Sequence, residues 1–168
     1  MSNYLTQVGG RLVERIAALT SSGAADANKI PQLDAAGKLD ASMLPTGFGD
    51  EVQSIPASEA LTAGDYVNIW NDGGTARVRK AVATGVATRA HGFVLESVAS
   101  GANGDVYFEG TNTAISGATP GDLFLSATTP GGFTSVAPTA STQVVQLIGL
   151  ATSATTANFE SGQTITIA

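Results

Sequence analysis

Residues 63–67 read Ala-Gly-Asp-Tyr-Val, and residues 120–124 return to the same pattern as Pro-Gly-Asp-Leu-Phe. A second landmark, His-Gly-Phe-Val at 91–94, recurs as Ile-Gly-Leu-Ala at 148–151. The glycines of both pairs are 57 residues apart. A shared offset of this kind predicts two copies of one supersecondary unit, each of which must bury its apolar face against another surface.

A third match, between residues 104–108 and 162–166, has an offset of 58. We therefore place the internal repeat at 61–110 and 118–168. A module of about 55 residues buries only about 60% of its unfolded surface and is marginally stable alone. The two copies should share a core or dock on another chain.

The region 51–168 is β-structured by its local signals. Residues 66–70 alternate between apolar and polar types, Asn-Asp-Gly-Gly at 71–74 is typical of a hairpin turn, and residues 76–79 alternate again. Short strands with frequent turns predict a mainly β fold of duplicated small barrel or sandwich modules. An extended N-terminal arm, residues 1–50, precedes them.

The arm has two segments, 1–22 and 23–50. The first is predicted to contain a short helix that begins near Arg11, because Gly9-Gly10 interrupts the pattern. Its apolar residues at helical spacing are Leu5, Val8, Leu12, Ile16 and Leu19. A helix this short needs a partner for its apolar face. Symmetry mates, another protein and the chain's own β core are the alternatives.

The second segment contains a stretch that we call the strap, residues 30–45. Pro31 and Pro45 lie near its ends, so the residues before them should be extended. Ala-Ala-Gly-Lys at 35–38 predicts a tight turn, and residues 40–43 predict one helical turn. The apolar anchors of the strap are Ile30, Leu33, Leu39 and Leu44.

Charge limits the classes of function. The net charge is −6, and no Lys or Arg follows Arg89. Binding to nucleic acid through phosphate neutralisation is therefore not expected. The single basic cluster, Arg77, Arg79, Lys80 and Arg89, suits a solvated strand face or a salt-bridge site. The absence of cysteine, of a secretory signal and of a long apolar run predicts a soluble protein made in a cytoplasm, without disulfides or membrane contact.

Catalytic chemistry is not indicated. The only histidine, His91, corresponds to Ile148 in the second copy, which favours a structural role. The Gly-Asp pairs lack the acid density of a Ca²⁺ loop, and no zinc or nucleotide-binding spacing is present. We expect no catalytic residues, no cofactor and no metal, and conclude that the chain is not an enzyme.

The strap resembles a segment of bacteriophage fibre and head-appendage proteins, Ile-Pro-x-Leu-Asp-x-x-Gly-Lys-Leu-Asp-x-Ser-x-Leu-Pro, which residues 30–45 match at every specified position. The region 60–168 is similar, more loosely, to the duplicated modules of capsid decoration (cement) and head-fibre proteins. These resemblances imply a homotrimer on the virion surface whose partners are itself and the major capsid protein. The implied assembly residues are Leu5, Val8, Leu12, Ile16, Leu19, Ile30, Pro31, Leu33, Leu39, Leu44 and Pro45.

Two alternatives remain open at this point. The strap segment is also typical of tail-fibre and receptor-binding proteins, although this chain lacks a long shaft. A carbohydrate-binding or hydrolytic domain would use aromatic residues such as Trp70, or an acid pair formed by Glu96 and Glu109. Binding of the purified protein to cells would favour the receptor-binding class.

Overall fold

The computed structural model describes residues 3–44 and 51–168. The chain divides into two compact units, Met1–Gly49 and Asp50–Ala168. The fold is mainly β, and every sheet formed by the described residues is antiparallel and open, so none is a closed barrel.

The described residues form thirteen strands and three short 3-10 helices. The strands are β1 (Asn3–Val8), β2 (Arg11–Ile16), β3 (Val52–Pro56), β4 (Tyr66–Asp72), β5 (Thr75–Lys80), β6 (Gly92–Val94), β7 (Asn103–Tyr107), β8 (Gly110–Asn112), β9 (Gly121–Leu125), β10 (Phe133–Thr134), β11 (Val144–Ser153), β12 (Thr156–Phe159) and β13 (Thr164–Thr166). The 3-10 helices are Gly23–Asp26, Ala41–Met43 and Val86–Thr88.

The predicted N-terminal helix is wrong. Strands β1 and β2 pair along their whole length, from Asn3 opposite Ile16 to Val8 opposite Arg11, and form a hairpin. Gly9 and Gly10 have φ values of 57° and 81°. Two successive residues at positive φ make the tight turn whose twist matches a hairpin, and glycine adopts them without steric cost. The glycine pair is thus a turn between strands and not a break in a helix.

The second unit contains a five-stranded sheet and a six-stranded sheet, and five strands of each follow the same order. The first sheet runs β3-β7-β6-β4-β5, and the second runs β8-β12-β11-β9-β10, with β13 also paired to β11. The strands of each sheet are consecutive in the chain, and each position in one order corresponds to the same position in the other. The structural repeat therefore spans 52–107 and 110–159.

The third sequence match does not correspond to this repeat. Strand β7 has its counterpart in β12, whereas residues 162–166 contribute to the additional strand β13. Val94 pairs with Val106, and Ala151 pairs with Ala157. Val94 and Ala151 are 57 residues apart, but their partners are only 51 apart. The second copy is six residues shorter because two residues, 154–155, connect β11 to β12, where eight, 95–102, connect β6 to β7.

The two sheets share one apolar core. Phe159 of β12 packs against Tyr66 of β4 and Phe93 of β6, with ring centroids 5.8 and 5.7 Å apart. Leu123 and Ile148 of the second sheet are fully buried in the same cluster. Each copy thus supplies the apolar partner that the other needs, and this core stabilises both sheets.

The first sheet is buried on both faces. Val67, Val94 and Val106 alternate with the shared-core residues of their strands and form a second cluster on the opposite face. Leu61 and Val98, from the connections that follow β3 and β6, belong to this cluster and exchange two backbone hydrogen bonds. These connections therefore cover the outer face of the first sheet.

A buried glutamine joins the two copies. The Gln146 side chain in β11 donates from Nε2 to the Ala90 carbonyl, and its Oε1 accepts from the Ala90 N–H, both at 2.8 Å. Gln146 is fully buried. The Ala90 N–H and carbonyl group lie outside the named strands, and the Gln146 side chain satisfies both of them. Without it, each buried backbone group left unpaired would cost about 1–3 kcal/mol.

Candidate functional site

The β1–β2 hairpin has two different faces. Leu5, Leu12 and Ile16 lie on one face, beside a hydrogen bond of 2.7 Å from Asn3 Nδ2 to Glu14 Oε1. Val8 lies on the other face, which it shares with Tyr4, Val13 and two arginines. Only three of the residues expected on one helical face are therefore together on the hairpin.

The strap folds back alongside the segment after the hairpin. Ala18 donates its N–H to the Ile30 carbonyl at 3.0 Å and accepts the Gln32 N–H at 2.8 Å, which brackets Pro31. The Tyr4 hydroxyl accepts the Ile30 N–H at 3.3 Å. These bonds tie the start of the strap to the hairpin within the first unit.

The polar residues of the strap build its turns. Asp34 Oδ1 accepts the N–H groups of Ala36 and Lys38, both at 2.8 Å. Gly37 has φ 75° in this turn, which agrees with the turn predicted at 35–38. The fixed Asp and Gly of the matched segment therefore have a structural explanation.

A second carboxylate begins the helical turn of the strap. Asp40 Oδ1 accepts the Ser42 N–H at 2.9 Å and the Ser42 hydroxyl at 2.6 Å. These two bonds from Ser42 lower the pKa of Asp40 below its ordinary value. The 3-10 helix Ala41–Met43 follows directly, so the helical turn predicted at 40–43 is confirmed.

An ion pair fixes the turn that precedes the strap. Asp26 accepts a hydrogen bond of 2.6 Å from Lys29 Nζ and another from the Ser22 N–H. These two bonds, the one from Lys29 foremost, lower the pKa of Asp26.

The Leu, Ile and Val side chains of residues 3–44 are all exposed. All ten Leu, Ile and Val residues there are at least 39% exposed, and Leu12 is 75% exposed. Among the side chains described in residues 3–40 and 42–44, Ala18 is the only buried hydrophobic one. The ten are Leu5, Val8, Leu12, Val13, Ile16, Leu19, Ile30, Leu33, Leu39 and Leu44. Pro45, the remaining predicted assembly residue, lies outside the described residues.

The basic cluster predicted at 77–89 is partly neutralised. Arg77 pairs with Asp72 and Lys80 pairs with Asp65, each at 3.0 Å. The Arg79 guanidinium lies over the Trp70 ring, 5.0 Å from its centroid, and donates to Asn68 Oδ1. These contacts give three of the four cations local structural partners.

His91 accepts a backbone hydrogen bond. The Ile69 N–H donates to His91 Nδ1 at 3.0 Å, so this nitrogen carries no proton. Burial and the neighbouring Arg89 lower the pKa of His91. The neutral imidazole therefore supplies the acceptor for the Ile69 N–H of β4, just beyond the residues of β4 that pair with β6. This contact supports the structural interpretation of His91.

The remaining candidates for chemistry are dispersed. Glu96 and Glu109 line different surface depressions, one beside Asp105 and the other beside Asp122. Among residues 3–44 and 51–168, no group of three or more His, Cys, Asp or Glu side chains is placed to hold a metal ion. Burial raises the pKa of Tyr66 to about 12, with the Asn112 amide acting in the opposite direction.

Comparison with known proteins adds no relative. No family model, curated protein or solved structure matches the chain. A search of the described helices for one long and apolar enough to span a membrane also returns none. The geometry of the arm is therefore the main observation on which a function can be argued.

Proposed function

We propose that this protein is a homotrimeric structural component of a bacteriophage virion, a capsid decoration or head-fibre protein that binds and stabilises the shell of major capsid protein through its arm. The observation that carries the proposal is the exposure of all ten aliphatic residues between positions 3 and 44. So many exposed Leu, Ile and Val side chains in about forty residues are typical of a segment that another protein covers.

The arm needs such a partner for its own stability. A two-stranded hairpin is at best marginally stable in water, and this one buries no Leu, Ile or Val. Burying one such side chain fully contributes about 1.5–3 kcal/mol, so docking of a few of them would order the hairpin and the strap together.

The second unit suits the role of a body that presents the arm. It has its own buried clusters, and we regard its two sheets as a sandwich of duplicated modules. Residues 90–168 contain no Lys or Arg, which lowers the cost of desolvating this region against copies of itself. Three arms on one trimer would convert weak individual contacts into avidity.

The test is rebinding to capsid particles from which this protein has been stripped. Gel filtration with light scattering should give the mass of a trimer for the full chain, and stripped particles should rebind it. A fragment of residues 51–168, which contains both core clusters, should remain in the supernatant. Rebinding of that fragment alone would contradict the role of the arm.

Point variants make the test sharper. Leu12→Ser and Leu33→Ser remove exposed aliphatic groups from the hairpin and from the strap, and each should weaken particle binding at least severalfold. Val136→Ser is the matched control, because Val136 is 71% exposed in the second unit. Equal loss in the control and in the arm variants would show that general surface hydrophobicity, not the arm, holds the protein on the shell.

A further inference from the structure

The outer face of the second sheet is open, although the same face of the first sheet is covered. Leu147 and Leu150 of β11 are 41% and 48% exposed there, while their neighbours Ile148 and Ala151 are buried in the shared core. On the first sheet the corresponding face is closed by Leu61 and Val98.

The duplication shows why this face is open. The six-residue shortening between β11 and β12 removes the connection that supplies Val98 in the first copy. The segment after β8 is present, but its apolar residues Ile115 and Ala118 pack into the shared core. Both elements that cover the first sheet are thus absent from the outer face of the second.

The open face forms a groove with an acidic border. Glu109, Asp122 and Glu160 line it together with Leu147 and Leu150, and all three carboxylates are exposed. Within the described parts of the chain, none of the three forms an ion pair. No cation follows Arg89, so the nearby sequence offers no compensating charge.

We infer that this groove binds an extended polypeptide segment of another protein that carries aliphatic side chains flanked by Lys or Arg. The first copy supplies the template for the aliphatic part, since an extended stretch at Leu61 covers its sheet with backbone pairing to Val98. Charge complementarity with the three carboxylates supplies the basic part. This site is separate from the arm and does not depend on the shell-binding proposal.

The experiment uses the full chain and two synthetic probes, the peptides Lys-Val-Lys-Leu-Lys-Val-Lys and Glu-Val-Glu-Leu-Glu-Val-Glu with blocked ends. Methyl NMR should show shifts at Leu147 and Leu150 with the lysine peptide and none with the glutamate peptide. The double variant Asp122→Asn, Glu160→Gln should bind the lysine peptide about three- to tenfold more weakly, the range expected for two exposed charge pairs. Glu96→Gln, an exposed acid outside the groove, is the control and should bind unchanged.

Three results would overturn the inference. They are shifts confined to other methyl groups, equal shifts with both peptides, and loss of oligomer mass in Leu150→Glu, which would assign the face to a second copy of this chain. Stripped particles should still rebind the groove variants through the arm, so a failure of this site and a failure of the proposed function are distinguishable.

Discussion

The glycines of the second sequence landmark, Gly92 and Gly149, have the same structural cause in both copies. A Cβ atom on Gly92 would lie 2.5 Å from the Tyr107 carbonyl oxygen in β7. A Cβ on Gly149 would collide with the Asn158 carbonyl oxygen in β12, the counterpart of β7. The repeated glycine thus permits a close approach of two strands, which any larger residue would prevent.

Replacing Gly149 with alanine should be much more damaging than replacing Gly121. Their φ values are similar, 137° and 135°, but the space around Gly121 is open. We expect Gly149→Ala to lower the free energy of unfolding by about 2–4 kcal/mol, and Gly121→Ala by about 1–2 kcal/mol, through backbone strain alone. Urea denaturation measures both. Equal losses would mean that strain, and not the contact with Asn158, explains the glycine at 149.

His91 should make stability depend on pH near neutrality. Its folded pKa lies below the ordinary 6.5 because of burial, with Arg89 adding to the effect. The unfolded chain therefore takes up a proton first as the pH falls, and stability is lost from about pH 6.5 down to the folded pKa. Above that window the histidine is neutral in both states and contributes no pH dependence.

The measurement is the free energy of unfolding between pH 7.5 and 5.5. The wild-type protein should lose stability as the pH falls through this interval. His91→Ile, which places there the residue found at 148, should be less stable throughout, because the Ile69 N–H loses its acceptor. Its curve should nevertheless be flatter. A variant curve parallel to the wild-type curve would assign the pH dependence to another group.

At the scale of elements, the sequence predicted the first hairpin of the second unit correctly and the N-terminal element wrongly. Alternation and turn residues correctly indicated β4 and β5 and the turn between them. At the N-terminus, apolar residues at 5, 8, 12 and 16 fit a helical period, yet Gly-Gly is also a hairpin signal. The helical period was misleading because both faces of the hairpin carry apolar residues. The two strands therefore do not alternate regularly between apolar and polar residues.

The glycine turn gives a direct test of the hairpin. Gly9→Asn should preserve it, since Asn-Gly suits the positive φ values found at 9 and 10. Gly10→Val should abolish it, because a β-branched residue at φ 81° costs more than a marginal hairpin can tolerate. The readout is the NOE contact between Leu5 and Glu14, which are paired across the strands. Loss or retention of this contact in both variants would contradict the turn assignment.

The candidate site was predictable only in part. The aliphatic residues of the strap could be found from sequence, but their exposure depends on the absence of a packing surface in residues 3–44, which no local pattern reports. The open face of the second sheet was missed. The third match hid the loss of six residues between β11 and β12, because it aligned β7 with residues of the additional strand β13 and not with β12.

At the scale of the whole molecule, the second unit buries its repeats against each other, whereas the described arm buries almost none of its apolar residues. The shared core makes the stability of each sheet depend on the other. The two copies should therefore unfold in one cooperative transition, although each has the strand order of a complete module.

Phe159→Ala tests that coupling. The ring lies in the second sheet but contacts Tyr66 and Phe93 in the first, so its removal should cost about 3–5 kcal/mol. Native-state hydrogen exchange should show equal losses of protection in β6 and in β11. Phe108→Ala, whose side chain packs on the other cluster, is a useful comparison, because it leaves the shared core intact. Loss of protection in β11 alone after Phe159→Ala would show two independent modules, and the repeat would then not require its partner copy to fold.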